Sequence, residues 1–367
     1  MVETYTDVSD LRPGFILSED VFVNTKEPIV RKGTMLVLEH FDILRAFGIR
    51  KVKVEERVQI IKEENVPAET NSLSPDDVLA IIPMEKLNLQ DRYESVVQSF
   101  RKEFQGWRAG MKPDIAKVRT LALPLVETFI EQKKMLTVLN EFSNSKDYLY
   151  HHSIAVGILA AMIGKQLEFP KGQVLQLGLA GVLADCGMAK INRSITEKAS
   201  FLTKEEFNEV KKHTVYSYQM VQETPFLRPE MKMAIFQHHE RLDGSGYPKG
   251  IKMNEISIFS QILAVADVFH AMTSERVYRK QESPFKVIEM IKEEEFGKFD
   301  IKVVQALHDL VANITIGTKV KLTNGDVGEV IFVHRDARLR PMVKKNDDES
   351  IIDLTTNRHL AIERVLE

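Results

Sequence analysis

The spacing of hydrophobic and polar positions changes three times along the chain. Residues 1–60 carry short runs rich in β-branched and aromatic residues, FILSEDVFV, IVRKGTMLV and KVKVEE, which predict strands, and LEHFDILRAFG predicts a short helix between the last two. Residues 62–77, KEENVPAETNSLSPDD, are polar, contain two prolines and read as a linker. From about Val78 to Ala312 the spacing is helical almost throughout. From Ile316 it alternates again (KVKL, EVIFV, PMV, IIDL), with turn signals at Asn324-Gly325 and Lys345–Asp348. The expected organisation is a small β-containing module (1–61), a linker (62–85), a helical lead-in (86–144), a helical domain (145–312) and a C-terminal β module (313–367), with no internal repeat.

Polar residues recur at inward positions of the helical centre. Ala155, Ile158, Leu159, Met162 and Ile163 form a helical stripe, and His152 begins it one turn earlier. The apolar run Val174–Ala184 leads directly into Asp185. A buried carboxylate without a partner loses several kcal/mol of hydration, so Asp185 is expected to have one. Thr203 and Glu206 form a capping box that opens a helix ending near His213. SQILAVADVFHAMTSE (260–275) puts Asp267 and His270 three apart, on one helix face.

Composition narrows the class. A hydrophobic content of 44% with 28% charged residues is ordinary for a globular protein of 367 residues. The net charge of −3 gives no general reason to expect nucleic acid or an anionic membrane as partner. Cys186 is the only cysteine, so no intrachain disulfide can form, which fits a reducing compartment. Val174–Ala184 is too short to span a bilayer, and MVETYTDVSD lacks a signal-peptide apolar core. A cytoplasmic location is expected.

Five of the ten histidines (151, 152, 213, 238 and 239) fall within sixty residues of Asp185, and Gln237–Gly250 reads QHHERLDGSGYPKG. Imidazole plus carboxylate suits Zn, Mn, Fe or Ni rather than Mg or Ca, and a carboxylate such as Asp185 can bridge two ions. Taken singly, each residue has a plainer reading. His213 is a structural histidine, the His pair a cap, Asp267 a capping group, and DGSGYP an ordinary loop. Arg276 and Arg279 would be a solvated basic face and Cys186 a small core residue. His151, about 100° round the helix from His152, is expected to be peripheral. His40, His308, His334 and His359 are taken as structural.

Order and spacing together override those readings. The series His152, Asp185, His213, His238-His239, Asp267 resembles the metal-dependent HD superfamily, and HHERLDGSGYP (238–248) resembles the extended signature of its HD-GYP branch. LTKEEFNEVKKH, ending at His213, and ILAVADVFHAMTSERVYR support the match, which covers roughly residues 145–312. The resemblance implies a mainly α protein whose all-helical HD-type phosphohydrolase core is flanked by a small N-terminal α/β module and a small C-terminal β module. Cyclic di-GMP phosphodiesterase activity would use a divalent transition metal, Fe or Mn. It further implies that Asp185 bridges, that His213, His238 and His239 complete one metal site, and that His152 and Asp267 serve the other. Arg276 and Arg279 match phosphate-contacting positions. Asp243, Gly244, Gly246, Tyr247 and Pro248 form the signature loop, which is linked in the family to docking of GGDEF-type or other signalling proteins.

Several positions depart from the family pattern. The His-Asp pair reads Ala184-Asp185, so one imidazole is missing from the second site. Met188 stands in place of a lysine, Gln261 of an arginine and His270 of an aspartate. Tyr148 stands where three-metal members have glutamate, which argues against a third ion. Two functions follow from this pattern: hydrolysis weakened at one metal site, or a catalytically inactive sensor of cyclic di-GMP that docks partners. His270 is a possible replacement ligand at the weakened site. RDAR (335–338) resembles a cyclic di-GMP-binding arginine pair, against the plainer reading of a solvated hairpin.

Overall fold

The computed structural model describes residues 3–8, 11, 15–22, 28–34, 36, 40–41, 44, 47, 49–55, 88–131, 136, 139, 142, 147–198, 200–274, 281–293 and 297–366. The chain divides into two compact units, Met1–Asp91 and Arg92–Glu367. The linker expected at 62–85 lies outside the described residues.

In the first unit, β1 (Glu3–Asp7) and β2 (Ile16–Leu17) pair antiparallel with the two edges of β3 (Lys51–Glu55), in the order β1-β3-β2. The alternation KVKVE turns Val52 and Val54 inward onto Leu17, Leu36, Phe41 and Leu44. His40, Phe41 and Leu44 are helical, within the span LEHFDILRAFG. The strand β1, ETYTD, was not singled out by the sequence pattern.

The described residues of the second unit up to Val311 are mainly helical. Tyr93, Phe100, Phe104 and Trp107 form the buried face of α1 (Leu89–Arg108), and α2 (Ile115–Glu131) follows. Next come α3 (Tyr148–Gln166) and α4 (Lys171–Leu183). Every residue of α3 from His151 to Gly164 is buried, as expected of a helix apolar on all sides at the centre of a core. Gly157 and Gly181 let these two helices touch backbone to backbone. A Cβ on Gly181 would lie 2.7 Å from Gly157 Cα and 2.9 Å from the Val156 carbonyl oxygen. The contact brings the end of α4, and therefore Asp185, against the first turns of α3.

Short helices α5 (Arg193–Thr196), α6 (Lys204–Lys211), α7 (His213–Val221) and α8 (Pro229–Gln237) then lead to α9 (Ile258–Thr273), α10 (Pro284–Glu293) and α11 (Ile301–Val311). Both bonds of the Thr203–Glu206 capping box are present. α6 ends at Lys211, near His213 as expected, and after Lys212 (φ −69°, ψ −14°) His213 opens α7.

The C-terminal strands β4 (Lys319–Leu322), β5 (Val327–Phe332), β6 (Met342–Lys345), β7 (Ile351–Asp353) and β8 (Ile362–Leu366) form an antiparallel sheet in the order β7-β6-β5-β4-β8. Gly325, at φ +93°, makes the β4–β5 turn, and Asn324 accepts the Asp326 N–H there. The sheet is tied to α10: Arg340 donates to both carboxylate oxygens of Glu289 at 2.6 Å, and Ser283 donates to the Ile362 carbonyl. Among the described residues no helix is long and apolar enough to cross a membrane.

Candidate metal centre

Five elements deliver the site. His152 comes from the first turns of α3, Asp185 from the turn after α4, and His213 from the start of α7. His238 caps α8, His239 follows it, and Asp267 lies on α9. Within this group, Asp185, His213, His238 and His239 offer donor atoms that all lie within 4.8 Å of one another, and so do His152, Asp185 and Asp267. Asp185 belongs to both sets. Its Oδ1 is 3.1 Å from His213 Nε2 and 3.4 Å from His238 Nε2, whereas its Oδ2 faces His152 Nε2 at 3.5 Å. Each carboxylate oxygen serves one half. Asp267 places Oδ1 2.9 Å from His152 Nε2 and Oδ2 3.6 Å from His239 Nδ1.

The ring tautomers test whether a cation fits. His213 Nδ1 lies 2.7 Å from the Val210 carbonyl oxygen, and His238 Nδ1 lies 2.7 Å from that of Ile235. A carbonyl can only accept, so both Nδ1 atoms carry protons. The neutral rings therefore present two Nε2 lone pairs, 3.4 Å apart, toward an Asp185 oxygen. Three acceptors converging in a dry interior repel one another unless a cation sits among them. A proton or a divalent metal meets that need, and an imidazole–carboxylate donor set suits a transition metal.

The electrostatics agree. Burial alone would push the Asp185 carboxyl up, but hydrogen bonds from His213 and His238 and the charges of His213 and His152 hold it well below the usual carboxylate range. Burial would likewise lower His213, yet the Asp185 hydrogen bond and charge outweigh it and raise the imidazole above its ordinary value. His239 is held far below the ordinary value by burial and by the neighbouring His238. Asp267 is depressed, with His239 and His152 outweighing its burial.

The signature loop closes over this side. The Asp243 carboxylate accepts the Ser245 N–H at 2.9 Å, and Gly244 takes φ +82°. The Tyr247 N–H donates to the His239 carbonyl oxygen at 3.1 Å, and its ring stacks on His239 at 4.7 Å. Pro248 follows, and a Cβ on Gly246 would collide with the backbone of His239, Glu240 and Arg241. Glu240, which the sequence reading passed over, is buried and accepts the N–H groups of Lys249 (2.7 Å) and Ile251 (3.2 Å). Its signal was a lone carboxylate between two candidate ligands and a glycine-rich turn.

Ala184 is buried and lines a narrow cleft with His152, Ser153, Val156, Gly181, Asp185, His238 and Asp267, so the position lacking an imidazole borders both donor sets. Met188 lies in the 3₁₀ turn Cys186–Lys190, its N–H bonded to the Asp185 carbonyl oxygen. Cys186 is buried, and burial pushes its thiol up to about 12, as for a core residue. Gln261 donates to the Ile256 carbonyl oxygen. His270 does not join the second donor set: its Nδ1 meets His152 Nδ1, behind the ligand-facing Nε2. Tyr148, read from sequence only as the loss of a third-metal ligand, hydrogen-bonds the same His152 Nδ1 at 3.1 Å. His151 is buried against Tyr93, with no donor atom in either set. Arg276 and Arg279 lie outside the described residues.

Comparison with known proteins places this geometry. The HD domain family model matches residues 134–303. A cyclic di-GMP phosphodiesterase of Pseudomonas aeruginosa is 28% identical over 346 residues, covering 92% of this chain and 83% of that protein. A cyclic di-GMP phosphodiesterase of Thermotoga maritima is 36% identical over 189 residues, half of each chain, and one of Borreliella burgdorferi is 26% identical over 60% of this chain and 61% of its own. A solved HDG"Y"P protein from Bdellovibrio bacteriovorus shares the fold, with a TM-score of 0.54 at 17% identity, over 84% of this chain and 99% of that one. An HD domain implies divalent metal binding, in keeping with the donor sets. Residues 134–303 match the HD domain, and the HHERLDGSGYP loop together with these relatives supports an HD-GYP protein.

Proposed function

We propose that the chain hydrolyses a phosphodiester bond of cyclic di-GMP in bacterial second-messenger signalling, in the cytoplasm, through a divalent transition metal centre in residues 145–312. The observation that carries this reading is the sharing of Asp185 between two donor sets, one oxygen to each. His213, His238, His239 and Asp185 would hold one ion, Fe or Mn, and His152, Asp185 and Asp267 a second, more weakly. When bound, the metals supply an acidified water and charge stabilisation for an in-line displacement at phosphorus. Arg276 and Arg279 would grip non-bridging phosphate oxygens through charge-assisted hydrogen bonds. The Tyr247 ring stacks on His239 and so covers one face of that ligand.

A second reading is favoured by Ala184, which leaves the His152 side with three donor residues, and by Met188 and Gln261, which remove two cations. In that reading the protein binds cyclic di-GMP without turnover, and the loop Asp243–Pro248 docks a signalling protein. The two are separated by loading the full chain anaerobically with Fe(II) or Mn(II) and following cyclic di-GMP by chromatography. The phosphodiesterase reading expects a linear dinucleotide or GMP to accumulate in proportion to enzyme. Tight binding with no product after many enzyme equivalents of time would overturn it in favour of the sensor.

A further inference from the structure

Behind the ligand-facing nitrogen of His152 stands a second imidazole. His270 follows Asp267 by one turn of α9, is fully buried, and sets Nδ1 2.9 Å from His152 Nδ1. The two ring centroids are 5.1 Å apart. Ser274 Oγ lies 3.1 Å from His270 Nε2 and 3.3 Å from its Nδ1. A nitrogen–nitrogen contact this short requires one proton between the pair. For His152 Nε2 to offer its lone pair to a cation beside Asp185 and Asp267, the ring proton must sit on Nδ1. His270 Nδ1 then accepts it, and His270 carries its own proton on Nε2, facing Ser274.

The geometry points to His270 as the positioning residue that holds His152 in its metal-binding tautomer, an inference that rests on the metal-centre reading above. Without a cation, His152 Nε2–H donates to Asp267 Oδ1 at 2.9 Å, and the His152 Nδ1 lone pair faces His270 Nδ1–H at 2.9 Å, the shorter of its two contacts, with the Tyr148 hydroxyl at 3.1 Å. Loading moves the His152 proton from Nε2 to Nδ1 and the His270 proton from Nδ1 to Nε2. The pair gains and loses no proton overall. A neutral imidazole accepts less strongly than a carboxylate would at the same place, so His152 remains a weaker donor to its ion. The His152 side is thus weakened from behind as well as by Ala184.

The test titrates the full-length protein with Mn(II) by calorimetry, comparing wild type, His270→Leu and His270→Asp. Wild type should show two classes of site. His270→Leu should weaken the looser class by about tenfold or more and leave the tighter class within about twofold, whereas His270→Asp should tighten the looser class by about tenfold. Nitrogen-15 imidazole spectra of wild type should show His270 as the Nδ1–H tautomer without metal and the Nε2–H tautomer with Zn(II). A single class of site in wild type, equal weakening of both classes in His270→Leu, or no change of tautomer would overturn the proposal. None of these readouts uses turnover. Hydrolysis with no effect of His270 removes this inference and leaves the phosphodiesterase reading; His270-dependent metal affinity without hydrolysis does the reverse.

Discussion

At the scale of single residues, His213 governs how the centre responds to pH. Its Nδ1–H donates to the Val210 carbonyl oxygen, so the proton a metal must displace is the one on Nε2, facing Asp185. Because the His213 pKa is raised above 6.5, that proton competes with metal to a higher pH than it would on an ordinary imidazole. Metal affinity should therefore rise as pH increases through and beyond 6.5, and level off once His213 is neutral. His239, held low, has no proton to lose in this range. Calorimetry in buffers of different ionisation enthalpy should find about one proton released per ion near neutral pH, falling toward none at higher pH. Release that is independent of pH would mean His213 is not the competing group. Ala184 allows a second test. Ala184→His adds an imidazole beside the cleft shared by both donor sets, and a second ion that is held more tightly should speed hydrolysis about tenfold, which is ~1.4 kcal/mol of barrier. The surrounding Val156 and Gly181 are closely packed, so the larger side chain should cost about 1–3 kcal/mol of stability. Metal content, rate and melting temperature measured together separate these effects. A folded variant with unchanged metal content would show that residue 184 does not limit the second site.

At the scale of elements, helix ends make the ligands. Val210 lies in the last turn of α6, where its carbonyl also accepts a backbone N–H at the cap, and Ile235 in the last turn of α8. The ring of the histidine three residues on donates to each carbonyl, and in doing so fixes its own tautomer. The loop that follows α8 is held by Glu240 and by the close approach that Gly246 permits. Gly246→Ala forces the backbone of residues 239–241 to shift, and should destabilise the protein by about 1–3 kcal/mol. It should also disturb the Tyr247–His239 stack, so metal content should fall more than the stability loss alone explains; elemental analysis alongside denaturant unfolding checks this. Retention of full metal content would mean the loop does not position His239. Much of this level was legible in the chain. The Thr203–Glu206 capping box needs only local bonds, and both formed. β1 and β8 were not legible, because a short edge strand is defined by its partner's hydrogen bonds and carries little pattern of its own.

At the scale of the whole molecule, Arg340 fastens the C-terminal sheet to the helical body. Besides Glu289, it donates through Nη1 to the carbonyl oxygens of Leu354, Arg358 and Leu360. Arg340→Ala leaves Glu289 and three carbonyls without that donor, and should cost on the order of 2–3 kcal/mol. Hydrogen exchange should rise in β7 and β8 and at the start of α10, with the metal centre unaffected. Unchanged exchange there would mean that the sheet is held by its apolar contacts alone. The sequence by itself determined the resemblance to HD-GYP proteins, the helical centre between two β-containing ends, and the six candidate ligands, because each rests on local spacing or on a contiguous motif. Only the tertiary structure decided that Asp185 turns one oxygen to each donor set, that His270 stands behind His152 instead of beside it, and that Tyr148 is a hydrogen-bond partner. Residues 152 and 270 are 118 positions apart. Which ring nitrogen faces which neighbour depends on how α3 and α9 pack, and no spacing along the chain records that.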